Sequence, residues 1–332
     1  MAITYLSGQR IQGLSSDTKP TDLPLGSQFE ETDTFKIYQH LDAWVTTAGT
    51  LSGAVYLPAG KGDKTDGWTT TGSQTGGGFR NELDWWNGTT WADKGTDITI
   101  DLDASAGAGT SSSITVAGSA SGGDVDGCSH WDNSSWTTKA NRTVGSGYSF
   151  AGGTASAMMS GGGVNGDEYS TSYSYDLSGD SWSSEGALPS NASDDGLASC
   201  AGDGTAVNTM FIAGGRSTDY SDSASTAEYD GSSWSSSPAD LSLATSACVG
   251  GGNKTGFWKM GGQPTADRGK VSYYNGTSWT SKPDTVLAFA GSGGANNGGT
   301  NPLVSGGKSM PVNGNWTAGQ YFGTDWVHRG ST

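Results

Sequence analysis

The sequence predicts an all-β fold built from repeated four-stranded antiparallel units, and three observations predict it. Tryptophan recurs at Trp44, Trp91, Trp136, Trp182, Trp234, Trp279 and Trp326, at steps of 45 to 52 residues. Each of the last six follows an aromatic by five to seven residues: Trp86, Trp131, Tyr175, Tyr229, Tyr274 and Tyr321. Upstream of each aromatic stands a small-residue pair: Thr71-Gly72, Ala117-Gly118, Gly161-Gly162, Gly214-Gly215, Gly261-Gly262 and Gly306-Gly307. About 45 residues hold one four-stranded sheet with its turns. Such a unit has too little core to stand alone, so neighbours must stack.

Within a unit the strands follow in order. Stretches rich in Ala, Ser and Gly at 52–59, 104–110, 150–155, 197–202, 245–251 and 288–294 precede each pair by roughly ten residues. Side chains this small suit an innermost strand, where sheets converge on an axis. The second strand is the short apolar run ending at the small-residue pair, and the third ends at the aromatic. Polar residues such as Asn87-Gly88-Thr89-Thr90, Asp230-Gly231-Ser232-Ser233 and Asn275-Gly276-Thr277-Ser278 then separate aromatic from tryptophan. Asn-Gly and Asp-Gly accept positive φ at little cost and mark a tight hairpin. Tryptophan opens the fourth, outer strand.

This order, from small-residue strand to tryptophan strand, resembles the kelch repeat of β-propellers over residues from about 50 to 330. The first two units depart from it, with Thr71-Gly72 and Ala117-Gly118 in place of a double glycine. Strings such as Ser178-Gly179-Asp180-Ser181-Trp182 also look like the Asp-box turns of sialidase propellers. Both resemblances imply a β-propeller of four-stranded blades. Six complete units favour six blades; seven is the alternative, with an N-terminal hairpin contributing. The division is then 1–47, an extension and attachment segment, and 48–332, the propeller.

Composition narrows the function. Apolar residues make up only 33% of the 332-residue chain and glycines number 55, yet thirteen tryptophans supply large apolar surface. A net charge of −16 with only 17 Lys and Arg disfavours nucleic acid and anionic membranes. No run of about 18 apolar residues occurs to span a membrane. The first ten residues have no basic region followed by an apolar core, so a secretory signal is not expected. Acidity with abundant Ser, Thr and Gly suits a protein working outside the cell. A virion protein, assembled in the host cytoplasm and released by lysis, satisfies both expectations. Cys128, Cys200 and Cys248 sit inside repeats and read as small buried thiols, with a disulfide as the alternative.

The segment from Gly26 to Trp44, with Gly-Ser-Gln-Phe-Glu-Glu-Thr-Asp-Thr followed by Tyr38 and Trp44, resembles a short N-terminal module of tailed-bacteriophage structural proteins, particularly marine ones. The resemblance implies an attachment role, with Phe29, Phe35, Tyr38 and Trp44 as its marker residues. Residues 35–38 and 43–46 read as two strands joined by a turn at 39–42.

Candidate chemistry is sparse. His40, His130 and His328 fall in different phases of the repeat, so no paired metal ligands emerge, and neither metal nor other cofactor is expected. Arg80, Arg216 and Arg268 follow the apolar strand of units one, four and five; a sialidase would cluster arginines there to clamp a carboxylate. They are unevenly spaced round a ring. The long loops 164–172 and 216–225 hold Asp167, Glu168, Tyr169, Arg216, Asp219, Tyr220 and Asp222. Aromatic rings stack on sugars and carboxylates accept from hydroxyls, so Tyr169, Asp219, Tyr220 and Arg216 form a candidate carbohydrate site. Solvated polar loops need no ligand. Asp194-Asp195 offers carboxylates for calcium but lacks an EF-hand pattern.

Three functional expectations follow. The first is a non-enzymatic virion structural protein of a tailed phage, as decoration, fibre or tail component. Its partners would be other virion proteins, host-surface glycan and further copies of itself. The second is a secreted, sialidase-like or other glycan-active enzyme. The third is a soluble interaction scaffold.

Overall fold

The computed structural model describes residues 4–7, 10–20, 23–74, 78–120, 126–142, 144, 149–165, 167–168, 170–189, 199–201, 210–215, 221–237, 239–263, 268–286, 289–291, 301–309, 314–315 and 319–328. The described residues are all-β, without helix. They divide into two compact units, Met1–Val45 with Phe322–Thr332, and Thr46–Tyr321.

The larger unit contains five complete four-stranded sheets in sequence order. Sheet 1 is Ala59–Gly62, Gly67–Thr70, Leu83–Trp86 and Trp91–Asp93. Sheet 2 is Leu102–Thr110, Ser113–Ala120, Asp126–Trp131 and Trp136–Lys139. Sheet 3 is Phe150–Gly153, Ala157–Gly161, Thr171–Asp176 and Ser181–Ala187. Sheet 4 is Ser199–Ala201, Phe211–Ala213, Thr226–Tyr229 and Trp234–Ser236. Sheet 5 is Val249–Asn253, Gly256–Met260, Val271–Tyr274 and Trp279–Lys282. All pairings within these sheets are antiparallel, and the first strands of sheets 1 to 5 adjoin one another in order. A further strand, Leu303–Ser305, pairs with the start of Gly319–His328. Successive four-stranded antiparallel sheets of this kind are consistent with a propeller-like fold.

In sheets 1 to 5 the aromatic and tryptophan sit directly opposite across the outer hairpin, as Trp86 with Trp91, Trp131 with Trp136, Tyr175 with Trp182, Tyr229 with Trp234 and Tyr274 with Trp279. Their ring centroids lie 5.0 to 5.8 Å apart. The hairpin loops close through Asx turns. Asp132 Oδ1 accepts from the backbone N–H of Ser134 and Ser135, and Asn87, Asp230 and Asn275 do the same two and three residues on.

Each tryptophan also stitches its sheet to what precedes it. The indole N–H of Trp136 donates to Thr96 O at 3.3 Å, that of Trp182 to Ala140 O at 2.8 Å, and that of Trp279 to Ala239 O at 3.0 Å. In each case the acceptor lies four or five residues beyond the preceding tryptophan. Trp91 reaches Thr47 Oγ1 at 2.9 Å, whereas Trp234 donates to Ser172 Oγ at 2.8 Å. The apolar core is correspondingly laid down between sheets. One cluster joins Trp68 and Leu83 of sheet 1 to Leu102, Ile114 and Trp131 of sheet 2; others join sheets 2 and 3, 3 and 4, and 4 and 5. A further cluster sets Leu303 against Trp86 and Trp91.

The glycine pairs do a second stitching job. At Gly261-Gly262 φ is +60° and +119°, a course barred to most L-residues. It sends the Gly262 N–H out of its own sheet to Phe289 O at 3.0 Å. Gly72 donates likewise to Leu102 O, Gly215 to Thr245 O and Gly307 to Val55 O.

Several sequence expectations need correction. Ala117-Gly118 does not end its strand, because Gly118 pairs with Gly127 and Ser119 with Asp126. In sheet 3 the positive-φ pair is Gly162-Gly163, one residue later than expected. The first inner strand is Ala59–Gly62 and not 52–59. Tyr321 and Trp326 share the single strand Gly319–His328, so no hairpin separates them.

The smaller unit forms a sheet in the order Thr4–Ser7, Arg10–Gly13, Gln28–Glu31, Ile37–Thr46 and then Gly319–His328. The expected turn at 39–42 is absent, and 37–46 runs as one strand. Gln39-His40-Leu41-Asp42 has no Gly or Pro to reverse the chain; the reversal falls instead at 32–35, where Phe35 takes φ +55°. Phe29, Ile11 and Trp44 are buried here.

Candidate functional site

Sheet 5 borders a concavity among the described residues. Antiparallel register sets Lys259, Ser272 and Ser281 in one row across its second, third and fourth strands. The chain then passes over this row as residues 241–243, which connect sheet 4 to sheet 5. Leu241 anchors that connection by donating its N–H to Ala224 O at 2.8 Å and by packing with Phe211 and Phe257. Between row and connection lies a cavity of about 270 Å³. Its walls are the row itself, Leu241, Leu243 and Val271, with Lys270, Lys282 and Asp284 at the mouth.

The lysines are held in different ways. Lys259 is only 2% exposed. Lys270 Nζ lies 2.6 Å from Asp284 Oδ2 on the surface. Lys282 Nζ sits over the rings of Tyr273 and Trp258, at 5.4 and 5.8 Å from their centroids. Ring quadrupoles orient such an ammonium without neutralising it. Register puts Lys259, Ser272 and Ser281 on one face of the sheet, whereas Lys282, paired with Val271, lies on the other with Tyr273 and Trp258.

Arg80 reads differently in the structure. It is fully buried, with Nη2 donating to Asp84 Oδ2 and to Ser52 Oγ at 2.7 Å, and Nε 3.5 Å from Glu82. Ser52 N–H donates to the same Asp84 carboxylate. Burial pushes the Asp84 carboxyl up, and Arg80 with the Ser52 N–H opposes the shift. The guanidinium therefore ties residue 52 to sheet 1. Arg268, at the equivalent position in sheet 5, is also buried. Arg216 lies outside the described residues, as do Tyr169, Asp219 and Tyr220, so none of the four expected carbohydrate ligands is placed. Asp167 and Glu168 lie on a two-residue strand paired with Val164–Asn165, and Asp222 accepts from Ser246 Oγ at 2.5 Å. Asp194-Asp195 lies outside the described residues.

His40 is buried in the smaller unit, while His130 contacts Thr115 Oγ1 at 3.0 Å and has its pKa lowered by burial. Among the described residues no group of three or more His, Cys, Asp or Glu could hold a metal ion. Cys128 and Cys248 are buried thiols outside any disulfide. No helix of the described residues is long and apolar enough to cross a membrane.

In the smaller unit the four marker residues separate. Phe29 and Trp44 are core, and Tyr38 is half-buried beneath Lys19, whose Nζ is 4.3 Å from the ring centroid. Phe35 stands 82% exposed at the tip of the 32–35 turn. The turn is firmly built: Phe35 N–H donates to Glu31 O at 2.8 Å, Glu31 N–H to Lys36 O at 2.9 Å, and Thr34 Oγ1 to the Glu31 carboxylate. The Thr34 hydroxyl, aided by Lys19 at 3.0 Å, holds the Glu31 pKa below its usual value. A bulky side chain at positive φ is a backbone outlier.

Lysines 259, 270 and 282 were not singled out by motif or spacing. The one available signal is that Lys259 stands where the equivalent strands carry Thr69, Val116, Ser160 and Ile212.

No family model matches the chain, and no curated protein matches it. Among solved structures, one described as "Structure of YjhT" is similar, with a TM-score of 0.63 at 12% identity, over 81% of this chain and 95% of that one. A likeness at that identity speaks to fold alone.

Proposed function

We propose that this chain is a non-enzymatic virion structural protein of a tailed phage, a kelch-like propeller of six blades held to the particle through its N-terminal module. The observation that carries the reading is Phe35. A large apolar side chain, 82% exposed and held at φ +55° by three defined hydrogen bonds, is costly to a lone molecule and useful to one that docks. Leu25 and Leu41 are also exposed in the same unit. Its partner on this reading is another virion protein.

Six blades are supported by the glycine pair of the sixth sequence unit, where Gly307 N–H reaches Val55 O as Gly72, Gly215 and Gly262 reach their neighbours, and by the Leu303 cluster with Trp86 and Trp91. The outward surface of the propeller would then meet host glycans or neighbouring subunits. The acid balance of the chain fits a partner other than nucleic acid.

The test is quantitative mass spectrometry of banded particles carrying the natural chain or Phe35→Asn. Asparagine tolerates positive φ but removes the apolar anchor. Stoichiometric recovery of the natural chain and loss of the variant are expected, with the purified variant at least as stable as its parent. Absence of the natural chain from particles overturns the virion reading; undiminished incorporation of Phe35→Asn overturns the anchor.

A further inference from the structure

The outer hairpins of sheets 1, 2, 4 and 5 are one turn built four times, and they differ at a chemically telling position. The first turn residue is Asn87, Asp132, Asp230 or Asn275, and its Oδ1 accepts the N–H of the residues two and three further on, at 2.8 to 3.0 Å. Both asparagines are exposed, and each is followed by glycine, Gly88 at φ +84° and Gly276 at φ +92°. Among the described residues neither glycine N–H has an acceptor, so the nitrogen next to the side-chain amide is uncommitted. Asn133 is also exposed, but the N–H that follows it, on Ser134, donates to Asp132 Oδ1.

An amide oxygen held by two N–H groups is polarised in the direction that favours attack at its carbon. Donors already aimed at an oxygen stabilise the negative charge that develops there in a tetrahedral intermediate. A glycine nitrogen meets little obstruction, because its own residue carries no Cβ.

We infer that Asn87 and Asn275 are sites of self-modification, converted to aspartate in the folded chain through a cyclic imide. The Gly88 nitrogen bonds to Asn87 Cγ, and the oxyanion on Oδ1 rests on the N–H groups of Thr89 and Thr90. The proton shed by the Gly88 nitrogen passes through water to Nδ2, the Cγ–Nδ2 bond breaks and ammonia leaves. A solvent water then adds at Cγ, the bond from Cγ to the Gly88 nitrogen breaks, and that nitrogen regains a proton. Thr277 and Ser278 serve Asn275 in the same way. With the two donors still aimed at the Cγ oxygen, water adds there in preference to the main-chain carbonyl. Addition at the main-chain carbonyl gives isoaspartate, which lengthens the backbone of a hairpin that Asn87 N–H closes on Thr90 O.

The product has a seat already built. Asp132 and Asp230 occupy the same turn, and their carboxyls are held below the ordinary pKa, Asp132 first by the Ser134 hydroxyl and Asp230 first by the Ser233 N–H. Such a carboxyl is ionised at neutral pH, where a charged acceptor makes stronger hydrogen bonds than an amide. Conversion at both positions lowers the net charge by two from −16. The inference rests on the turns alone and stands apart from where the protein is displayed.

The test is incubation of the purified full chain at mildly alkaline pH, folded or unfolded in guanidinium, with peptide mass spectrometry that separates aspartate from isoaspartate. In the folded chain Asn87 and Asn275 should convert while Asn133 stays intact. At both positions the ratio of aspartate to isoaspartate should exceed that of the unfolded chain by about tenfold, the worth of one hydrogen bond to a charged group. Asn87→Asp and Asn275→Asp should unfold in urea no earlier than the parent at neutral pH. Either asparagine surviving in the folded chain after the unfolded chain has converted overturns its assignment, as does an equal ratio in the two states. An earlier midpoint for the aspartate variants overturns the ready-made seat.

Discussion

Replacing Gly262 by alanine tests whether the glycine pairs hold one sheet to the next. At this residue φ is +119°, and a Cβ built on the backbone would lie 2.5 Å from Thr245 Oγ1, 2.9 Å from Cys248 Cβ and 2.9 Å from Ser246 O. Backbone in so sparse a region costs an L-residue about 1–3 kcal/mol. Forcing a methyl into packed surroundings costs about 1–3 kcal/mol more. The sum, about 2–6 kcal/mol, is a large share of the 5–15 kcal/mol that typically separates folded from unfolded chains. Gly95→Ala is the matched control: its φ is +69°, yet nothing lies within 4 Å of the new Cβ. That substitution pays only the left-handed strain of about 1–2 kcal/mol, reduced by about 0.4–1 kcal/mol through the stiffer unfolded chain. Urea unfolding of both variants should therefore place Gly262→Ala at least about 1 kcal/mol below Gly95→Ala, the lower end of the overpacking term added to the strain the two share. Equal losses would mean that the tight seat of Gly262 is not a determinant of the join between sheet 5 and Phe289.

Other perturbations follow from the same contacts. Trp182→Phe keeps a ring opposite Tyr175 but removes the donor to Ala140 O, so urea unfolding should show a loss of about 1–3 kcal/mol; Trp279→Phe, which loses the equivalent bond to Ala239 O, should lose a similar amount. Asp84→Ala leaves the buried Arg80 guanidinium without its carboxylate and should lower stability by about 3–5 kcal/mol, with the double variant Arg80→Met, Asp84→Leu recovering much of it. Asp132 has its pKa lowered to about 2 by the Ser134 hydroxyl and by the N–H groups of Ser135 and Ser134. A carboxyl depressed on folding contributes stability above its ordinary value of 3.8, and loses it as pH falls through about 2. Asp132→Asn keeps the turn acceptor, as Asn87 and Asn275 do, so its unfolding midpoint should fall less than the parent's between pH 4 and pH 2.

How much of this was legible in the sequence depended on whether a feature repeats through local chemistry. The aromatic-to-tryptophan hairpin was readable because Asn87, Asp132, Asp230 and Asn275 close the same Asx turn, which needs only residues two and three positions on. The inner strand of sheet 1 was misplaced because both 52–54 and 59–62 are small-residue stretches, and strand pairing with Gly67–Thr70 decides between them. Ala117-Gly118 looked like a strand end, yet Ser119 and Ala120 continue the pairing with Asp126 and Leu102. In the N-terminal segment alternation suggested two strands, but without a reversing residue at 39–42 the chain stays extended, and Phe35 takes the turn. The concavity beside Lys259 was not legible, because Ser272 and Ser281 join Lys259 only through strand register, and residues 241–243 reach it only through the fold.

That last point has a general form in this molecule. A repeat constrains each position by the demand that neighbouring sheets pack, so a residue that serves packing should resemble its equivalents. The third-strand aromatic, Trp86, Trp131, Tyr175, Tyr229 or Tyr274, obeys this: it is buried in each of sheets 1 to 5. Where equivalents diverge but the gap is still filled, as with Arg142 over Ser160 or Arg80 beside Asp84, one packing solution has replaced another. At Lys259 divergence comes with a void, and at Phe35 it comes with exposure and positive φ. Packing alone explains neither, since a void forfeits contacts and an exposed ring on a left-handed turn adds strain.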